Sequence, residues 1–325
     1  MKTGVIGGGA WGTALAQVAA AGGGSVTLWA REAEVVEAIN TTHRNALFLP
    51  GVPLSSAITA TEELTRLADA EALLVVTPAQ HLRAVLSQLP QRAIPLILCA
   101  KGIEAGSQKL MSEVAAEVQP RASIAVLSGP TFAHEVAAGL PTAVTLACSD
   151  EVVCTAISKR LARPTFRPYG SSDVVGAEIG GAVKNVLAIA CGVVEGKKLG
   201  QNARAALISR GFAEMTRFGL ARGARAETLA GLSGLGDLVL TCSSTSSRNF
   251  SLGKALGEGG EANALLADRR SVAEGAYTAP VLAEAAKAAG VEMPIVDAVC
   301  ALLTGSATVD EVVARVLARP LRSEG

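Results

Sequence analysis

The chain has 325 residues, enough for two domains that each bury a core, and its 29 lysines and arginines are balanced by 29 aspartates and glutamates. Without a net positive field it is not built to gather nucleic-acid phosphates, and 3% aromatic residues leave no stacking platform for single-stranded bases. Half the residues are apolar, yet no uninterrupted apolar run reaches the roughly 18 residues of a spanning helix and no secretory leader precedes the first strand. No membrane span and a cytoplasmic location are therefore expected. Cys99, Cys148, Cys154, Cys191, Cys242 and Cys300 form no C-x-x-C pair and read as buried thiols, and nothing suggests a metal site.

Short runs rich in Val, Ile and Leu alternate with helical patterns as far as residue 149, the signature of parallel strands buried on both faces. Strands are expected at residues 4–7, 25–30, 72–77, 94–100, 123–128 and 143–147, with a further candidate at 165–169. Helices are expected between them, for instance over 79–89 and 107–118. Beyond residue 176 the strand signals fade into alanine-rich helical segments punctuated by glycine: 180–195, 203–222, 279–289 and 309–319. The reading is α/β: a doubly wound, Rossmann-type parallel sheet over residues 1–178 and an all-helical unit over 179–325, joined by a packed helix within 173–196.

The first strand ends in Gly7-Gly8-Gly9-Ala10-Trp11-Gly12, a G-x-G-x-x-G turn that opens an apolar helix. Gly7 permits the tight turn, Gly9 lets the backbone approach a pyrophosphate, and Gly12 lets helix and strand pack closely. The helix N-terminus then faces the anion. Trp11 either covers the cofactor or packs on the sheet. Beyond the second strand, where an acidic residue would bind the ribose hydroxyls, stand Arg31 and Glu32. An arginine there suits a 2′-phosphate, so NADP(H) is an expected cofactor, while Glu32 keeps NAD(H) open.

Hydride transfer from a nicotinamide leaves the protein to polarise a carbonyl, move one proton and fix the substrate. His43, His81 and His134 have no motif around them. Lys184 stands out in the apolar stretch Ile179 to Ile189, where it faces a cleft or partner, or else snorkels. Lys101 follows a strand, at the carboxyl edge where doubly wound sheets bind ligands. Gly129 and Thr131 open the segment after the next strand, either as backbone donors and a hydroxyl for the site or as an ordinary helix start. In the helical half, Asp237 reads as site residue or helix cap, and Ser247, Arg248 and Asn249 offer a cup for an oxyanion.

These segments together resemble the bacterial, NAD(P)-dependent type of glycerol-3-phosphate dehydrogenase. The motifs are Gly7 to Ala16, Lys101-Gly102-Ile103-Glu104, Ser128 to Ala133, Gly181-Ala182-Val183-Lys184-Asn185, Gly231 to Leu238, Ser247-Arg248-Asn249 and Val272-Ala273-Glu274-Gly275, running almost end to end. The resemblance implies reversible reduction of dihydroxyacetone phosphate to glycerol 3-phosphate, serving phospholipid synthesis, with Lys184 as proton donor. It implies that Lys101, Gly129, Thr131, Lys184, Asn185, Asp237, Ser247, Arg248 and Asn249 hold the substrate. Gly7, Gly9, Ala10, Trp11, Gly12, Arg31, Lys101, Ala133, Arg248, Val272 and Glu274 would line the cofactor. Ala10 and Ala100 stand where a serine and a threonine are frequent, and Phe250-Ser251 replaces basic residues after Asn249. A hydroxy-acid or sugar-acid dehydrogenase, and a non-enzymatic NADP sensor, are the competing readings; a homodimer is compatible with the alanine-rich helical faces.

Overall fold

The computed structural model describes residues 2–267 and 273–318, so Val272 and the end of the last expected helix lie outside the described residues. Eight strands form one sheet: β1 Thr3–Ile6, β2 Val26–Trp29, β3 Ile58–Thr61, β4 Ala72–Val75, β5 Pro95–Leu98, β6 Ser123–Ser128, β7 Thr142–Cys148 and β8 Phe166–Ser171. Their order is β3-β2-β1-β4-β5-β6-β7-β8. Each expected strand is present, including the candidate that became β8. The sequence reading missed β3, whose Ile-Thr-Ala-Thr run at the sheet edge is too polar to resemble a strand buried on both faces.

Period-two alternation distributes each strand between two cores. Val5, Leu28, Leu74 and Ile97 point to the face covered by helices α1 (Ala10–Ala20), α2 (Ala33–Thr42), α5 (Ala133–Ala137) and α6 (Glu151–Leu161). Ile6, Leu73, Val75, Leu96 and Leu98 point to the opposite face, under α3 (Leu82–Leu86) and α4 (Met111–Val118). Both helices are shorter than expected: Ala79–His81 is a 3-10 turn, and residues 107–110 stay in a loop closed by an Ile103–Leu110 bridge.

The expectation of an all-parallel sheet needs one correction. β6 and β7 are antiparallel, whereas β7 and β8 are parallel. The connection from Gly129 to Pro141 contains only the five-residue α5 and reverses the chain at the carboxyl edge of β6, instead of crossing to the far edge as a parallel strand requires. That reversal keeps Gly129 and Thr131 at the edge where the other parallel strands end.

The remaining described helices are α7 Val174–Gly196, α8 Gln201–Ala221, α9 Ala226–Ala230, α10 Asp237–Thr241, α11 Arg248–Gly257, α12 Ala262–Leu266, α13 Glu274–Ala288, α14 Pro294–Leu303 and α15 Val309–Leu317. α7 is the axis of the helical core and runs unbroken through residue 178. By length and composition it is apolar enough to cross a membrane, contrary to the expectation that no segment would qualify, because Glu178 and Lys184 are its only interruptions over a long stretch. Yet 89% of its most apolar window is buried inside the fold. Close approach explains its glycines: a Cβ at Gly192 would collide with Phe250 O, and one at Gly253 with Ile189 O, so α7 and α11 touch backbone to backbone. Phe250 therefore belongs to the helical core, 2% exposed.

Candidate active site

The turn after β1 has the geometry its glycines require. Gly7 adopts φ +125°, a region L side chains avoid, and a Cβ there would lie 2.7 Å from Val76 O. At Gly12 a Cβ would collide with Gly7 O, whereas at Gly9 it would meet nothing within 4 Å. The one position with open space is thus the one expected to face a pyrophosphate. α1 begins at Ala10 with no side chain capping its first turn, which leaves backbone N–H groups for an anion. Trp11 is half-buried against the sheet core, with its indole N–H unpaired among the described residues, so it packs on the sheet and retains a donor. Ala133 opens α5, which lies against α1. Thr77 and Ser128, after β4 and at the end of β6, likewise carry buried hydroxyls with no partner among the described residues. An anion cradle, open space at Gly9 and spare donors along the same edge fit a dinucleotide.

Arg31 lies beyond β2 with its side chain 80% exposed and pairs with Glu32 Oε1 at 3.0 Å. It is well outside the buried cluster described next.

That cluster is built from three elements. α7 supplies Lys184, the loop after β5 supplies Lys101, and the first residue of α10 supplies Asp237. A π-helical turn, Leu232–Gly236, feeds into α10, and Gly180 of α7 lacks the Cβ that would collide with Ser233 O in that turn. This contact lets α10 sit close enough for Asp237 to reach α7. Asp237 Oδ1 lies 3.0 Å from Lys184 Nζ, and Oδ2 lies 2.6 Å from Lys101 Nζ. The aspartate is fully buried, so the helix-cap alternative is set aside: its oxygens are engaged by lysines. Thr241, one turn on, receives Lys184 Nζ at 2.8 Å and donates to Asp237 Oδ1 at 3.1 Å. Lys101 Nζ also donates to Gly129 O at 3.3 Å. Gly181, facing this pair, leaves room for the Lys101 stem, since its Cβ would come within 3.2 Å of Lys101 Cγ.

Burial brings the Lys184 ammonium down from 10.5 to about 8; Asp237 opposes the shift and Lys101 reinforces it. Burial would raise the Asp237 carboxyl, but the two lysines outweigh it and hold it below its ordinary value. For Glu274, at the start of α13, burial wins and the carboxyl is raised in spite of Arg248, Lys101 and Lys184. Those opposing charges place Glu274 and Arg248 in the same electrostatic neighbourhood as the lysines.

An amide chain completes the framework. Asn185 Nδ2 donates to Lys101 O at 3.4 Å, Asn249 Nδ2 donates to Asn185 Oδ1 at 3.0 Å, and Gly275 N donates to Asn249 Oδ1 at 2.9 Å. Ser247 caps α11 by accepting from Phe250 N at 3.2 Å, and Arg248, the first residue of that helix, is exposed. Asn249 and Asn185 are thus tied into the scaffold, while the Arg248 side chain stays exposed. Thr131 Oγ1 lies 3.3 Å from Gly129 O. In the sequence Thr241 is only the first hydroxyl of the stretch that runs to Asn249; its place one turn from Asp237 on α10 gives it its role. Asn45 is buried, 1% exposed, and donates to Gly8 O and to Thr13 Oγ1, each at 2.8 Å. Nothing in its polar neighbourhood announces that long-range contact.

Comparison with known proteins bears directly on these features. The model described as NAD-dependent glycerol-3-phosphate dehydrogenase N-terminus matches residues 2–154, and the C-terminus model of the same family matches residues 173–314. The chain belongs to this family. It is 66% identical over 324 residues to glycerol-3-phosphate dehydrogenase (NAD(P)+) of Novosphingobium aromaticivorans, covering 99% of this chain and 98% of that one. The corresponding protein 1 of Sphingopyxis alaskensis is 63% identical over 322 residues, with 99% and 98% covered. Among solved structures, glycerol-3-phosphate dehydrogenase from Coxiella burnetii superposes with a TM-score of 0.94 at 38% identity, covering 98% of this chain and 99% of that chain. D-mandelate dehydrogenase with NADH, at 15% identity and a TM-score of 0.64, shares the fold alone. As a family member the chain is an NAD(P)-dependent oxidoreductase, which removes the sensor reading.

Proposed function

We propose that the chain catalyses reversible reduction of dihydroxyacetone phosphate to sn-glycerol 3-phosphate, with NADPH or NADH bound at the glycine turn. The carrying observation is the buried Lys184–Asp237–Lys101 cluster at the carboxyl edge of the sheet that also bears that turn. When bound, the nicotinamide supplies or accepts the hydride at C2.

An ammonium has three N–H donors. Lys184 directs one to Thr241 and one to Asp237, which leaves the third for the ketone oxygen. Lys101 likewise spends two, on Asp237 and Gly129 O, and offers one to a substrate oxygen. As the C2–H bond forms, the carbonyl electron pair moves to oxygen and takes the Lys184 proton, leaving a neutral amine. Oxidation runs in reverse: the neutral amine accepts the 2-hydroxyl proton. Asp237 stays ionised throughout, holding both nitrogens in place and offsetting their mutual repulsion. Arg248 suits the phosphate by its fork of donors, and it stands at the start of α11, where the helix dipole also favours an anion. Exposed Arg31 supports acceptance of a 2′-phosphate, so NADP(H) is used as well as NAD(H).

This reading assigns residues 1–178 to the cofactor and residues 179–325 to the substrate. We infer a cytoplasmic enzyme supplying the glycerophospholipid backbone. Mixing the chain with NADPH and dihydroxyacetone phosphate tests the proposal. Loss of NADPH absorbance that requires the phosphorylated ketone supports it; oxidation only with a 2-keto acid would replace it with the hydroxy-acid reading.

A further inference from the structure

The Gly8 carbonyl is held from two sides. Asn45 Nδ2 donates to it at 2.8 Å, and Thr13 Oγ1, itself bonded to the same Asn45 nitrogen at 2.8 Å, lies 3.4 Å from it. Asn45 and Thr13 are 1% and 0% exposed, so these bonds lie beneath the glycine turn. Asn45 in turn is fixed by its own loop: Oδ1 accepts from Phe48 N at 3.1 Å, and its carbonyl accepts from Leu49 N at 2.8 Å. A second tie, Ser55 N to Gln17 Oε1 at 2.9 Å, fastens the same loop to α1.

A trans peptide is planar, with its C=O and N–H pointing in opposite directions. Drawing the Gly8 carbonyl inward therefore turns the Gly9 N–H outward. The outward side is where a Cβ at Gly9 would meet nothing within 4 Å, and where the uncapped first turn of α1 presents its N–H groups. Glycine leaves the 8–9 peptide free to rotate unless something fixes it, and neither flanking side chain exists to do so. We propose that Asn45 is a positioning residue for the cofactor's pyrophosphate: it locks the Gly8–Gly9 peptide so that the Gly9 N–H points into the anion site. This rests on the dinucleotide reading of the turn.

The test is titration of the full chain with NADPH and with ADP-ribose, which carries the pyrophosphate but no nicotinamide, alongside steady-state kinetics. Asn45→Leu keeps the volume but removes the donor. Its affinity for both ligands is expected to fall about tenfold, the equivalent of one lost hydrogen bond, while kcat at saturating NADPH and KM for dihydroxyacetone phosphate stay within about twofold. Unchanged affinity for both ligands overturns the proposal, as does a kcat that falls in parallel with affinity. If Asn45→Leu does not fold, Thr13→Val is read instead: affinity at least about threefold weaker, with Thr13→Ser restoring it, supports the lock, and native affinity in Thr13→Val overturns it. Failure of the unaltered chain to bind either ligand would overturn the cofactor reading and this proposal together, whereas normal binding by unaltered and substituted chains overturns this proposal alone.

Discussion

Lys184 Nζ and Asp237 Oδ1 stand 3.0 Å apart, with side chains 8% and 0% exposed, and the other oxygen of the same carboxylate belongs to Lys101. Two cations therefore share one buried anion. Such an arrangement leaves a net positive charge for an anionic substrate and keeps one lysine close to its titration point.

The pH dependence follows from that lysine. Burial sets Lys184 near 8. Reduction needs the ammonium, so its kcat is expected to hold below pH 8 and decline above it; oxidation needs the amine and should rise through the same range. Profiles measured in both directions check this, and a common optimum would count against Lys184.

Asp237→Asn should move the reductive profile. Asp237 raises the Lys184 value, so without its charge the lysine loses its proton at lower pH, and the descending limb shifts toward acid. Removing one partner of a buried ion pair also destabilises by about 3–5 kcal/mol. Thermal unfolding and the pH profile of the variant, measured together, separate the two effects; a lower melting temperature with an unmoved limb would contradict the electrostatic role.

The two glycines of the turn should fail differently. Gly12→Ala collides with Gly7 O, a backbone atom that cannot step aside, and is expected to destabilise the fold by about 2 kcal/mol or more. Gly9→Ala meets nothing in the protein and should melt normally while binding NADPH poorly. Calorimetry and ligand titration on the pair test this; loss of stability in Gly9→Ala would mean the open side is needed for folding.

Much of this was legible beforehand, and the gaps have physical causes. The buried strands showed because parallel strands covered on both faces must be apolar throughout, and Lys184 showed because a lysine in such company is costly. Strand direction carries no such mark, so the reversal of β7 went unseen. Asp237 remained ambiguous because its meaning depends on Lys101, 136 residues away. Asn45 was invisible for the same reason: it is defined by the distant Gly8 and Thr13, not by its neighbours. Phe250, a departure from the family pattern near the phosphate cup, proves to be a core residue two positions beyond the exposed Arg248.

A separate pH effect belongs to stability. Glu214 of α8 caps α14 by accepting from Ile295 N at 2.9 Å and 3.2 Å, and burial lifts its carboxyl from 4.5 to about 7. The folded state then holds that proton more tightly than the unfolded chain between about 4.5 and 7. Its contribution is present below 4.5 and is lost as pH rises through 7. Glu214→Gln keeps an acceptor without the charge, so its melting temperature relative to the unaltered chain should rise between pH 5 and pH 8. A difference independent of pH would show that Glu214 does not titrate in that window.

The central claim is that Lys184 transfers the proton. The most direct test is the turnover of Lys184→Ala with dihydroxyacetone phosphate at saturating NADPH, paired with an NADPH titration. The expected result is a kcat lower by about 10² to 10⁴ with cofactor affinity within about twofold of the unaltered chain. A near-normal kcat would contradict it.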